Sequence, residues 1–532
     1  MADIGEKAVQ PQELQRALSW LETHQQALVA DVAELLRIRS VQEEPGGPGA
    51  PFGRPIARAL EKALQAGDRL GLRTANMEGY AGYVEWGDGP ELVAVLNHLD
   101  VVPEGAGWSV PPYAGVVQDG KIWGRGAVDN KGPAVAALYA LAALAHAQVP
   151  AKRRVRLILG TDEESGMRGL RYYLEHEGQP TLGFSPDALF PIVNGEKGIM
   201  RALLSKDLVP ARTVAEPSGA WQVESFQGGE RANIVPDRAR LRLVWAGPAG
   251  RPGDGVAAAD AASWQRRLQE AAERVLQEAR AKAGPEARSQ LALEVAAVDG
   301  AAAAARPGVS GGALRTGTAF PRLEINARGI GAHASTPEQG INALALITAV
   351  LLEAGIPLEP PHADAIRFLH GAMAADGSGL DVRCADDLSG PLTNNLGVLQ
   401  WENGRITANF NLRYPIRQSG EELAARIRAV AQARGFTADI GDDPPHYVPP
   451  EGELIQALQK AYEEETHQPA KLLTMGGGTY ARLLKNAVAF GPVFPGQPEL
   501  AHQRDEYISV ADLLACTRIC LRALYYLAAQ GS

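Results

Sequence analysis

Two adjacent carboxylates, Glu163 and Glu164, stand on the turn Gly160-Thr161-Asp162-Glu163-Glu164-Ser165-Gly166, directly after the apolar run 155–159. Neighbouring residues at a strand end point in different directions, so one carboxylate can hold a metal ion while the other moves protons. An acidic pair in a loop is also an ordinary solvated turn, and the choice depends on what else the chain brings. His98 and Asp100 follow the apolar run 92–96. Two apart on an extended segment, they face the same side, where one can bind a metal and the other orient a ligand. Asp129 lies in Gly-Arg-Gly-Ala-Val-Asp-Asn-Lys-Gly, a glycine-punctuated loop ahead of a long Ala/Leu stretch; a helix cap would use the same residue. Asp187 sits between Pro186 and Pro191, and His502 in the polar loop 499–507. His98, Asp129, Glu164, Asp187 and His502 make two imidazoles and three carboxylates with no thiolate. Such a set suits zinc, and two zinc ions about 3.5–4 Å apart can share one bridging carboxylate.

The elements that must position these residues alternate between strand and helix. Apolar spacing predicts helices over 13–39, 56–66, 133–147 and 167–177, with strands over 83–86, 91–96 and 155–159 between them. This is an α/β pattern, in which ligands gather at the carboxyl ends of strands. His98, Asp100 and Glu163-Glu164 all follow such ends. From about residue 196 the character changes to alternating strand candidates (239–245, 291–295, 322–327, 406–413) and helix patterns (259–282, 337–354, 421–434), as in half-exposed sheets covered on one face. The Ala-rich segment 251–312 contains the run 301–305, expected as a surface loop. The α/β style returns with the helix 454–462. It leads to Met-Gly-Gly-Gly-Thr-Tyr, where the amides of Gly476 and Gly477 could hold a carboxylate or oxyanion. The expected division is a catalytic domain in two parts, 1–195 and 448–532, around an inserted domain, 196–447.

Bulk properties narrow the function classes. A chain of 532 residues exceeds what one hydrophobic core organises, so at least two domains are expected. The net charge of −10 carries no basic block of the kind that tracks phosphates, which argues against nucleic acid as a partner. Cys384, Cys516 and Cys520 have neither metal-ligand spacing nor the number for a disulfide framework, and Cys516 and Cys520 are expected on one buried helix face. With no apolar h-region near residue 1 and no run of about 18 apolar residues, a cytoplasmic protein with no membrane partner is expected.

Taken jointly and in this order, the motifs resemble the di-zinc aminoacylase and carboxypeptidase family, which also contains succinyl-diaminopimelate desuccinylase, and within it the bacterial dipeptidases. The resemblance covers nearly the whole chain. It implies an α/β fold: a phosphorylase/hydrolase-like zinc-peptidase catalytic domain with an inserted α+β lid domain of two ferredoxin-like halves. By likeness of Leu-Asn-His-Leu-Asp-Val-Val-Pro, His98 would be a zinc ligand and Asp100 its orienting partner. Asp129 would bridge two Zn2+ ions (Mn2+ or Co2+ as possible substitutes), Glu163 would be the general base, Glu164 and Asp187 would serve one zinc each, and His502 would complete the set. Gly-Ala-His-Ala-Ser-Thr-Pro-Glu places His333 as the lid histidine that binds the oxyanion, with Asn233 of Arg-Ala-Asn-Ile-Val-Pro in the same role. Arg413 of Asn-Leu-Arg-Tyr-Pro would bind the substrate's carboxylate, assisted by the Gly476-Gly477 turn. The resemblance thus implies hydrolysis of dipeptides with a free amino end and a free carboxylate, through a metal-bridged hydroxide. A lid of this length implies a monomer. An N-acyl-amino-acid deacylase with the same metals, and a metal-bound peptide-binding protein without catalysis, are the competing readings.

Overall fold

The computed structural model describes residues 11–208, 219–246, 256–285, 287–298 and 321–530; the run 301–305 lies outside them. The chain divides into two compact units, Met1–Glu196 with His446–Ser532, and Lys197–Pro445.

The first unit is built on a nine-stranded mixed sheet. Its central strand, Leu92–His98, is buried along its whole length. It runs parallel to Arg154–Gly160 on one side and to Leu182–Ser185 on the other. A strand covered on both faces has to be a continuous apolar run, and Leu-Val-Ala-Val-Leu is one. Each Val or Leu removed from water there contributes about 1.5–3 kcal/mol. The sheet continues through Ala81–Trp86 and Arg73–Met77 at one end, and through Ala487–Ala489, Ile192–Glu196 and His446–Tyr447 at the other. Helix Lys131–His146 is buried over nearly its full length, which its Ala/Leu sequence permits all round. It packs against the sheet and against helices Gln12–Leu36 and Val510–Leu524. Cys516 and Cys520 are buried in the last of these, four apart on its inner face.

The second unit has its own core and is built, among the described residues, on an eight-stranded antiparallel sheet. One half runs in the order Ala292–Val298, Arg322–Arg328, Arg238–Trp245, Trp221–Gly228, with helices Val256–Lys282 and Ala343–Ala354 packed on it. The other runs Thr393–Glu402, Arg405–Tyr414, Gly198–Asp207, Thr437–Asp443, with helix Gly420–Ala433. Both halves have the strand order of a ferredoxin-like unit, entered by the chain at a different strand. The two join edge to edge where Phe226 pairs with Trp401. Burial alternates along the strands, Met200, Ala202 and Leu204 inward and Arg201 and Leu203 outward, as expected of a sheet covered on one face.

Some boundaries differ from those the sequence predicts. The pattern 337–354 divides into a 3₁₀ turn, Pro337–Gln339, and a helix, Ala343–Ala354, because Asn342 caps the helix by accepting the Leu344 N–H at 2.9 Å. Helix Pro360–Ala372 was not expected. Its Pro360-Pro361 start reads as a breaker yet is compatible with a first helical turn.

Candidate metal centre

His98, Glu163-Glu164 and Asp187 come from three adjacent parallel strands. His98 ends the central strand directly opposite Gly160, whose strand leads into the Glu163-Glu164 turn, and Asp187 follows Leu182–Ser185. The loop before helix Lys131–His146 adds Asp129, and the loop before Val510–Leu524 adds His502. The site therefore assembles at the carboxyl end of the sheet.

The side chains form two groups that share one carboxylate. His98 Nε2 is 3.0 Å from Asp129 Oδ1 and 3.6 Å from Asp187 Oδ2. His502 Nε2 is 3.0 Å from Asp129 Oδ2 and 3.1 Å from Glu164 Oε1. The two triads, His98–Asp129–Asp187 and Asp129–Glu164–His502, each offer ligand atoms close enough for one cation. Asp129 presents one oxygen to each.

Three features of the chain fit divalent cations here. His98 Nε2 is fully buried and makes no hydrogen bond among the described residues, although a carboxylate oxygen lies beside it. Asp129, Glu164 and Asp187 bring three desolvated carboxylates to one place, an arrangement that is costly without positive charge. All donors are nitrogen or oxygen, the set zinc accepts.

The electrostatics express the crowding. Burial, and then the charges of Asp187, Glu164 and Asp129, push the Glu163 carboxyl well above its ordinary range, with His98 opposing. Burial likewise raises Asp187, to about 6. The two imidazoles go up against the pull of burial: carboxylates hold His98 well above its usual value, and Asp129 and Glu164 take His502 to about 11. Asp129 remains well below the carboxylate range despite its burial, because the imidazoles of His502 and His98 lie against its two oxygens.

Asp100 contacts His98, as the motif implies, and has a second hold besides. The ring Nδ1 of His98 lies 2.9 Å from the Asp100 backbone carbonyl, nearer than the 3.5 Å to its carboxylate. That carboxylate also accepts the backbone N–H of Glu163 at 3.1 Å and of Glu164 at 3.0 Å. Asp100 thus fixes both members of the acidic pair through their main chain.

Several positioning residues escaped the sequence reading. Asn130 donates to the Pro186 carbonyl at 2.7 Å and to Asp187 Oδ1 at 2.9 Å, leaving Oδ2 toward His98; its own carbonyl oxygen accepts from Asn97 and from the His98 amide. Glu506 and Arg125, both buried, bind at 2.7 Å. Glu506 Oε1 accepts the N–H of Gly126, Val128 and Asp129, while Arg125 donates to the carbonyls of His502 and Gln503. This pair ties the Asp129 loop to the His502 loop. Burial, and then the Asp129 charge, raise Glu506 to about 7. The signals were an acid four residues after His502 and an arginine between two loop glycines.

The Gly476-Gly477 turn follows strand Leu472–Met475 in the first unit, and both glycines are half-buried. Thr479 next to it is engaged: its amide and hydroxyl both donate to the buried Glu196, the hydroxyl at 2.8 Å.

His333, Asn233 and Arg413 belong to the second unit, where the fold brings the first two together. Ile234 and His333 form an antiparallel bridge, and Asn233 accepts the Ala334 N–H at 2.9 Å. His333 Nδ1 is 2.7 Å from Ser335 Oγ. Arg413, buried on strand Arg405–Tyr414, donates through Nε to Asn411 at 2.8 Å.

Residues 94–526 match the model of peptidase family M20/M25/M40. A Bacillus subtilis (strain 168) protein provisionally named dipeptidase YtjP is 36% identical over 506 residues, which span 94% of this chain and 97% of that protein. The chain belongs to peptidase family M20/M25/M40. A Staphylococcus aureus (strain MW2) relative, also provisionally named a dipeptidase, is 32% identical and covers 96% of this chain and 100% of its own. Among solved structures, human carnosine dipeptidase 1 superposes with a TM-score of 0.52 at 14% identity, covering 97% of this chain and 100% of that one. The yeast dipeptidase Dug1p, from Saccharomyces cerevisiae, gives 0.52 at 11% identity, with 96% and 98% covered. These place the fold as the mixed α/β fold of the M20 peptidases. The protein is a peptidase of a metal-dependent family, with two candidate metal-binding groups that share Asp129. Among the described residues, no helix is long and apolar enough to cross a membrane.

Proposed function

We propose that this peptidase hydrolyses dipeptides with a free amino end and a free carboxylate, using two zinc ions. The observation that carries the reading is the pair of donor triads sharing Asp129, with Glu163 held beside them on the turn that Asp100 clamps. His98, Asp129 and Asp187 would hold one ion, and Asp129, Glu164 and His502 the other. When bound, the ions supply a water acidified from about 15.7 toward about 7 and a Lewis acid for the scissile carbonyl. Glu163 takes the proton from the attacking water and gives it to the leaving amine, a contribution of roughly 10² to 10⁴ in rate. Its burial favours the protonated form it must reach. His333 and Asn233 donate to the carbonyl oxygen as it becomes an oxyanion, and Arg413 with the Gly476-Gly477 turn receives the substrate's carboxylate. The names of the relatives support dipeptides over acyl-amino acids. Cysteine usage supports a cytoplasmic setting.

The test is a panel of dipeptides, tripeptides and N-acyl-amino acids assayed with and without chelator, alongside two variants. Glu163→Ala should keep its metal and lose hydrolysis, and Glu164→Ala should lose metal. A fully active Glu163→Ala enzyme, or dipeptides left intact while acyl-amino acids are cleaved, would overturn the reading.

A further inference from the structure

Asn395 lies on strand Thr393–Glu402 in the second unit, 3% exposed. Its side-chain amide donates to the Ala232 carbonyl at 3.2 Å and to the Ile234 carbonyl at 3.0 Å, the two peptide groups that bracket Asn233. The bracketed residue then carries the His333 segment. Asn233 accepts the Ala334 N–H, Val235 donates to the Ala332 carbonyl at 2.8 Å, and Thr393 Oγ1 donates to the Ala334 carbonyl at 3.3 Å. Gly397, two residues along the strand, lets the corner seat itself: a Cβ there would stand 2.2 Å from the Ala232 oxygen. Asn342, the cap of helix Ala343–Ala354, donates to Asn395 Oδ1 at 3.4 Å and to the Leu396 carbonyl at 3.0 Å, fixing the amide from behind. Directly across the ladder Asn395 faces Asn411, which accepts from Arg413. One cross-strand asparagine pair therefore serves all three candidate substrate-binding side chains of this unit.

We propose that Asn395 is the positioning residue of the Asn233–His333 corner. It sets the corner's backbone so that both side chains meet the substrate's carbonyl oxygen. This rests on the donor role assigned to His333 above. Its two N–H donors, on a strand paired along both edges, tie the loop to the sheet. A shift of about 1 Å in such a group can cost ~10²-fold in rate. Asn395→Asp replaces both donors with acceptors aimed at two carbonyls, and Asn395→Ser keeps one shorter donor.

Hydrogen exchange read by mass spectrometry tests the structural half, on whichever of the two variants stays folded by circular dichroism. Peptides covering 229–237 and 330–336 should lose at least ~10-fold in protection, while strand Arg238–Trp245 and the metal content stay as in the wild type. Kinetics test the rest. On the best dipeptide of the panel, kcat should fall ~10- to 10²-fold with KM little changed, and the double variant with His333→Ala should lose less than the product of the two single losses, the remainder being what Asn233 loses. Wild-type protection in the corner peptides overturns the proposal, as does a double variant whose losses multiply. A His333→Ala enzyme of wild-type rate removes the donor role itself, and the exchange data then show separately whether Asn395 holds the corner.

Discussion

Replacing Glu506 with Gln perturbs the metal centre without touching a proposed ligand. One Glu506 oxygen accepts three amides, from Gly126, Val128 and Asp129 at 3.1, 2.9 and 3.2 Å, and the other accepts Arg125 at 2.7 Å. Gln can present its carbonyl to the amides, but its NH2 then meets the Arg125 guanidinium, donor against donor. The charge-assisted bond is worth about 1.5–3 kcal/mol, and leaving the 2%-exposed Arg125 without a counter-charge brings the cost toward about 3–5 kcal/mol. That strain falls on the Asp129 loop and on the His502 and Gln503 carbonyls that Arg125 holds. Residues that orient metal ligands from behind typically control affinity by about 10- to 100-fold, or about 1.4–2.8 kcal/mol. The ion served by Glu164 and His502 should weaken most, because both Asp129 and His502 are displaced. Competition with a zinc-binding dye, with stoichiometry by mass spectrometry, resolves the two ions. A second variant, Arg125→Met with Glu506→Met, removes the buried charge but leaves three amides without their acceptor, so it should bind the ion served by Glu164 and His502 weakly as well. Two ions bound with wild-type affinity in a folded Glu506→Gln protein would refute the staple.

His362 gives a pH prediction for the second unit. Buried and accepting the Val223 N–H at 2.9 Å through Nδ1, it has its pKa lowered to about 4, chiefly by burial. The folded state therefore resists a proton that the unfolded chain accepts near 6.5, so stability is intact above about 6.5 and falls as pH drops toward 4. The loss is about 3 kcal/mol by linkage, and His362→Gln should flatten that limb of a urea-unfolding series. A second expectation concerns assembly. The eight-stranded sheet joins two similar halves within one chain, which supports a monomer. Light scattering at low micromolar concentration should return about one chain mass, and a dimer would count against it.

The candidate metal donors were legible in the sequence because few residue types bind metals and because parallel strands end where sites form. That His98 and the Glu163-Glu164 pair follow strand ends could be read from two apolar runs, whereas the division of roles within the pair came from the family resemblance. The residues that aim them were not, since they act through backbone groups far away in the chain. Glu506 reaches Val128 across 378 positions and Asn395 reaches Ala232 across 163, and no local pattern marks such a contact. Strands were missed for a related reason. On Gly198–Asp207 the outward face carries Ile199 and Leu203 beside Arg201, which blurs the period of two, and Thr437–Asp443 is an acidic edge with little apolar signal.

Asp100 shows what this division means for the chemistry. Its motif position foretells a residue beside His98, yet its carboxylate is committed to the amides of Glu163 and Glu164. Those amides fix where both side chains begin, and adjacent side chains diverge from a shared backbone. One anchored turn can therefore send Glu164 to His502 and leave Glu163 for the proton. The separate duties proposed for the acidic pair rest in part on the shared backbone that Asp100 anchors. A substitution at Asp100 should accordingly harm metal binding and proton transfer together, whereas one at Glu163 should harm only the second.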